Sequence, residues 1–174
     1  AQWNKTELSS YLIEITSDVL AHVDEKTGKP LVDVIQDSAG QKGTGRWTGI
    51  SGLELGSAIS AIAESVFARS LSSMREVREL ANSVLSSGVS EEPAVPESFV
   101  EDVRQALFAS KLVSYAQGLD MIRMAGEEYG WELKLDEIAS LWRAGCIIRA
   151  ELLDTITQEY SGQNPPANLL FAPR

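Results

Sequence analysis

The sequence predicts an all-α domain, on three observations. Apolar residues recur at a period near 3.6 through most of the chain, helix-start and helix-stop residues bracket those runs, and strand-like segments do not alternate with helix-like ones. A chain of 174 residues with 44% hydrophobic composition is long enough for one domain with a buried core. The formal charge of -10, from 15 Lys and Arg against 25 Asp and Glu, opposes the counterion release that drives nucleic-acid binding. Nucleic acid and anionic membrane surfaces are therefore excluded as partners.

Asn4 and Glu7 have the spacing of a capping box, and Trp3 and Leu8 that of a hydrophobic staple. Leu8, Leu12, Ile15 and Val19 then keep helical spacing, which predicts a helix of about 18 residues ending near His22. Asp24 to Pro30, DEKTGKP, is a polar turn, and Leu31 to Asp37 is a short apolar-alternating segment that fits strand or helix. The glycine-rich stretch AGQKGTGRW, Ala39 to Trp47, comes next. From Leu55 to Leu85, Ile59, Ile62, Val66, Phe67, Leu71, Met74, Val77 and Leu80 continue a helical period, with Ala and Ser filling many other positions. Ser87 to Pro96, SGVSEEPAVP, predicts a loop.

Ser98 and Glu101 make a second capping-box pattern, opening a long helix through Phe99, Val103, Leu107 and Val113 that stops at Gly130. Asp136 is placed to cap a last helix carrying Ile138, Leu141, Trp142, Ile148, Leu152 and Ile156 and ending near Gly162. NPPANLLFAPR finishes the chain as an extended arm. One echo, between WNKTELSSYLIEI from Trp3 and WRAGCIIRAELLDTI from Trp142, hints at internal duplication.

Cys146 is the single cysteine, so an intrachain disulfide and a zinc cluster are both ruled out, which fits a reducing compartment and makes cytoplasm the expected location. No apolar run of about 18 residues and no signal-peptide layout occurs. The chain starts Ala-Gln-Trp rather than with Met, and is expected to be a piece of something larger.

Two nucleotide motifs fail on the glycine-rich stretch. A P-loop needs Gly-x-x-x-x-Gly-Lys followed by Ser or Thr, which neither Gly28 to Pro30 nor Gly40 to Gly45 supplies. The dinucleotide fingerprint needs a Gly three residues after Gly45, where Thr48 stands. What remains is a loop whose glycines let the backbone turn sharply and approach a ligand, while Lys42, Arg46 and the Thr44 hydroxyl can donate to an anion. A plain surface loop with two solvated cations fits the same composition. Arg69 falls at the border of the apolar stripe, where a half-buried guanidinium needs either an acidic neighbour or a phosphate.

The remaining candidates have structural readings. His22 sits at a helix C-terminus, a favourable dipole position, and has no evident triad partners. Cys146 lies between Trp142 and Ile148 on a patterned helix and reads as a buried, inert thiol. The pairs Glu91/Glu92 and Glu127/Glu128 read as solvated charges, not an acid/base dyad.

IQDSAGQKGTGRW, Ile35 to Trp47, resembles the signature of the 6-phosphogluconate dehydrogenase family: an aliphatic residue, Asp two later, then Gly-(Asn/Gln/Ser)-Lys-Gly-Thr-Gly-x-Trp. WNKTELSSYLIEIT, SVFARSLSSM, FVEDVRQALFASKLVSYAQG and LWRAGCIIRAELL are similar to further C-terminal-domain segments of that family, in family order. The resemblance implies an all-helical substrate-binding and dimerisation domain over residues 1–174, truncated at both ends and built from two related halves. It implies a parent enzyme of the pentose phosphate pathway. That enzyme oxidises the C3 hydroxyl of 6-phosphogluconate with NADP, releases CO2 and tautomerises the product to ribulose 5-phosphate.

By the same resemblance Lys42, Thr44 and Arg69 bind the substrate's phosphate, and no metal is needed. The resemblance places NADP in an N-terminal Rossmann domain, and the catalytic Lys and Glu on a long helix that opens the helical domain, neither of which precedes Trp3 here. A C-terminal tail delivering an Arg and a His to the partner subunit of a homodimer is also missing. No catalytic residue is therefore expected in this chain, which alone should be inactive. Its Ala- and Ser-rich faces in Leu55 to Leu85 and Phe99 to Tyr129 are expected to be dimer or interdomain surfaces. Two other readings stand beside this one. A non-catalytic helical phosphate-binding or interaction module has no such parent, and a wider β-hydroxyacid dehydrogenase acting on an unphosphorylated acid would not call for the clamp.

Overall fold

The computed structural model describes residues 1–85 and 94–173. Among these it holds eight α-helices and no strand ladder. The helices are α1 (Tyr11–Ala21), α2 (Leu31–Val34), α3 (Thr44–Glu54), α4 (Ser60–Ser73), α5 (Arg75–Leu85), α6 (Phe99–Tyr129), α7 (Leu135–Leu141) and α8 (Leu152–Tyr160). The all-α class is as the sequence predicts. The loop expected over Ser87 to Pro96, with Glu91 and Glu92, lies mostly outside the described residues.

At the N-terminus the capping box is not used. Gln2–Lys5 form a 3-10 turn, and the Asn4 side chain accepts the Ser10 N–H at 2.9 Å. The helix starts only after Ser10, whose hydroxyl oxygen accepts from the Ile13 N–H, and it runs 11 residues to His22. The polar turn forms as expected: Gly28 takes a left-handed φ of 69°, and the Asp24 carboxylate accepts from the Thr27 hydroxyl and N–H, which lowers its pKa.

The single pattern from Leu55 to Leu85 is two helices, broken at Met74. Ser65, Ser70 and Ser73 each donate a hydroxyl to a carbonyl three or four residues back, competing with the backbone ladder ahead of the break. The last predicted helix is also two. Lys134 rather than Asp136 stands at the start of α7, and residues 142–151 cross an irregular connection with Gly145 at φ 72°. Cys146 therefore lies off any helix, half-buried, with its thiol donating to the Trp142 carbonyl.

The 31-residue α6, about 46 Å long at the α-helical rise, is the axis of the molecule. It stops where the sequence predicts, at Gly130 in the left-handed region. Its start is unlike a capping box: Ser98 pairs with Asp102, and Glu101 turns to Arg104, whose guanidinium holds the Glu101 carboxyl at about 2. Arg104 also pairs with Glu7, tying the N-terminal segment to α6.

One side of α6 carries the core, in which Ala116 and Leu119 pack with Ala139 of α7, Leu153 and Ile156 of α8, and Leu169. Leu169 corrects the expected extended arm. It lies in a 3-10 turn, Leu169–Phe171, capped by the Asn168 side chain, and is 5% exposed. The two segments that echo each other also meet: Ser10 and Ala150 form an antiparallel bridge, Arg149 lies over the Tyr11 ring at 3.6 Å, and α1 and α8 begin within two residues of the bridge.

The surface is unusually large. It measures 12750 Å², where a compact monomer of this mass exposes roughly 8,300 Å². Phe67, Leu71, Met74, Val77, Leu80 and Val84 all stand at least half exposed along α4 and α5.

Replacing Leu169 by Ala is expected to destabilise the chain by about 2–4 kcal/mol, read by urea denaturation, because it opens a cavity against α6 and α8. An undocked arm would give no change.

Candidate functional site

The glycine-rich stretch leads directly into α3, a helix that the sequence pattern did not reveal. Gly43, at φ 97°, stands immediately before it and Thr44 is its first residue. Only the Trp47 N–H is returned to the Gly43 carbonyl, so the N–H groups of the first turn face outward, the arrangement that suits an anion. Lys42 and Thr44 are exposed beside them, and neither side chain makes a hydrogen bond or ion pair among the described residues.

The three glycines do different things. Gly43 supplies the turn, which costs a side-chain-bearing residue about 1–2 kcal/mol. Gly45 allows close packing: a Cβ there would stand 2.8 Å from Val66 Cγ2 of α4, and the β-branched Val66 cannot easily turn away. Gly40 has open space around it and no left-handed φ, so its side-chain-free Cα is not what the loop uses.

What the loop uses at Gly40 is the carbonyl. Arg69 of α4 donates to it from Nε at 3.1 Å and from Nη2 at 2.6 Å. Arg69 is exposed, not half-buried, and its structural partner is this backbone oxygen rather than an acid. Nη1 makes no hydrogen bond among the described residues and is left to meet a further acceptor. Next to it the Gln41 amide reaches the Ser70 hydroxyl at 3.3 Å.

A second arginine holds the front of the loop. Arg78 of α5 donates from Nη2 to the Asp37 carbonyl at 2.8 Å and lies 3.0 Å from the Asp37 carboxylate. Sequence reasoning missed this contact for a geometric reason. Nine residues separate Arg69 from Arg78, roughly two and a half turns, so on one continuous helix they would face opposite ways. The break at Met74 brings both to one loop.

Other candidates lie apart from the loop. His22 is the residue ending α1, as expected. Glu127 pairs with Arg123 one turn away, a solvated helix-face contact. Lys111 on α6 has its ammonium covered and unpaired, and burial lowers its pKa. No described helix is long and apolar enough to cross a membrane.

Residues 1–174 match the family described as "6-phosphogluconate dehydrogenase, C-terminal domain" along their whole length. The chain belongs to this family. It is 54% identical over 172 residues to "6-phosphogluconate dehydrogenase, decarboxylating" of Pseudescherichia vulneris, covering 99% of this chain and 38% of that protein. It is 54% identical over 173 residues to the Bacillus subtilis "6-phosphogluconate dehydrogenase, NADP(+)-dependent, decarboxylating", covering 98% and 37%. Among solved structures, the 6-phosphogluconate dehydrogenase of Plasmodium falciparum superposes with a TM-score of 0.90 at 39% identity, over 98% of this chain and 37% of its own. That enzyme was studied in its apo form, with its cofactor NADP+ and with its substrate 6-phosphogluconate. The chain thus spans well under half the length of these relatives.

Gly43→Ala is expected to cost about 1–2 kcal/mol, read by thermal or urea unfolding, because Ala resists the left-handed turn that starts α3. Gly40→Ala, with no such turn and no neighbour within 4 Å, should cost much less.

Proposed function

We propose that this chain is the substrate-phosphate and dimerisation part of an NADP-dependent 6-phosphogluconate dehydrogenase of the pentose phosphate pathway, working in the cytoplasm. The observation that carries the reading is the loop: an unpaired Lys42, the Thr44 hydroxyl and the free N–H groups of α3 stand together, with Arg69 tied to the same loop by two hydrogen bonds. Family membership supplies the ligand class, since the relatives act on or bind a sugar phosphate by name.

In this reading Lys42 supplies a point charge, Thr44 a hydroxyl donor, and Arg69 its free Nη1 to the substrate's phosphate. Anchoring the phosphate fixes the far end of a short, flexible sugar acid and so orients its C3 hydroxyl for oxidation. The described residues contain no strand on which a dinucleotide fold is built. NADP, which would take the hydride from C3 of the substrate, is assigned to the remainder of the full-length protein, of which this chain spans well under half. The chain alone should reduce no NADP, and catalytic groups are assigned to none of its residues.

The excess surface supports association. An apolar stripe along α4 and α5 is exposed in the isolated chain, and such stripes mark interfaces. A homodimer covering it is expected, by sedimentation, for the full-length protein. A well-folded monomer that binds no apolar dye would overturn that assignment.

The substrate test uses the full-length enzyme. Lys42→Met and Arg69→Met should each raise KM for 6-phosphogluconate by roughly 10- to 100-fold, the loss of one charge-assisted contact, and leave KM for NADP near its original value. Unchanged KM in both would remove the phosphate clamp from this loop.

A further inference from the structure

We infer that Arg78 is a positioning residue for the phosphate loop, acting through Asp37 and never touching substrate. This rests on the phosphate-binding reading of Lys42, Thr44 and Arg69. It adds a residue outside the signature stretch, on a different helix from Arg69.

The geometry is a two-point brace. Between the end of α2 at Val34 and the start of α3 at Thr44, the backbone has no regular structure. Its own closure there is slight, a Ser38 N–H to the Gln36 carbonyl at 2.9 Å. Its other anchors come from side chains of α4 and α5. Arg69 takes the Gly40 carbonyl and Arg78 the Asp37 carbonyl, so two guanidiniums hold two carbonyls three residues apart.

Three further features favour positioning over a surface ion pair. The Arg78 contact includes a backbone oxygen as well as the carboxylate, which fixes the path of the chain and not merely the Asp37 side chain. The Arg78 side chain is largely covered, and its Nε is buried without a partner, a cost that a freely mobile surface arginine would escape. The break at Met74 is what lets α5 present Arg78 to the loop at all. A loop held at both Asp37 and Gly40 has little freedom left by Lys42, so the cation is presented in place before substrate arrives.

The experiment compares Arg78→Met, Arg78→Lys and Lys42→Met in the full-length enzyme. Arg78→Met is expected to raise KM for 6-phosphogluconate about 10-fold, with kcat and KM for NADP changed less than about twofold. Arg78→Lys, which keeps one cationic donor, should recover part of that loss. Amide hydrogen exchange should quicken in residues 38–43 of Arg78→Met, while the core amides of α6 and α8 keep their protection.

A merely structural role would instead lower thermal stability and the fraction of active enzyme, leaving both KM values alone. KM for 6-phosphogluconate within twofold of the parent in Arg78→Met, while Lys42→Met raises it, would overturn the positioning role and leave the clamp standing. No effect from Lys42→Met or Arg78→Met would overturn both. Should Arg78→Met fail to fold, Arg78→Lys carries the same comparison, and parent-like KM and exchange together with an affected Lys42→Met would decide against the brace.

Discussion

Gln117 bonds the first turn of α4 through both ends of its amide, accepting the Ala61 N–H at 2.9 Å and donating to the Ser60 hydroxyl at 3.0 Å. On either side of it along α6, Ala116 and Leu119 are buried against α7, α8 and the C-terminal turn. Next to it Gly118 faces Ile62 of α4, with room between them for no more than a methyl group. Four consecutive residues therefore join the core to the helix that carries Arg69. The rest follows in series, since α4 fixes Arg69, Arg69 fixes Gly40, and close packing of Gly45 on Val66 seats α3 beside it. Among the described residues, the contact of α6 with α4 links this core to the helix that holds the loop.

The sequence made the long elements readable and hid the breaks between them. The extent of α6 and its stop at Gly130 could be read, because apolar spacing and a glycine C-cap are local signals. So could the loop signature and the turn at Gly28. The division at Met74 could not, because apolar residues keep their spacing across it and no Gly or Pro marks it. The start of α3 was masked by glycines that ordinarily oppose helix, at Gly45, Gly49 and Gly52. Two of those three are explained only by neighbours: a Cβ would strike Val66 at Gly45 and Ile59 at Gly52. The capping boxes misled because their residues found better partners: Asn4 takes the Ser10 N–H and Glu101 takes Arg104. Lys42, Thr44 and Arg69 were legible as residues, but the contact of Arg69 with a backbone carbonyl is a long-range fact that no spacing encodes.

The described core is small for a chain of this length, and the excess exposed area fits a surface that continues into other protein. An apolar stripe runs down α4 and α5 on the same two helices that brace the loop. In the proposed dimeric enzyme, covering the stripe would also stiffen the frame from which Arg69 and Arg78 reach out. Association and substrate affinity would then be linked, because whatever orders α4 and α5 lowers the entropy lost when the braced loop binds phosphate.

The same logic gives the proposed phosphate site a basis for selectivity despite its few permanent contacts. Backbone N–H groups and a lone lysine attract many anions, and a flexible loop would wrap any of them. A loop pinned at Asp37 and Gly40 would do so less readily, because the path of its backbone is set before the ligand arrives. In the proposed site, an anion with several oxygens in a fixed arrangement would engage Lys42, Thr44 and the Arg69 Nη1 together. A carboxylate, with one charge and two oxygens in a plane, would meet the same donors from fewer directions, and that difference in charge and shape is the discrimination the proposal expects.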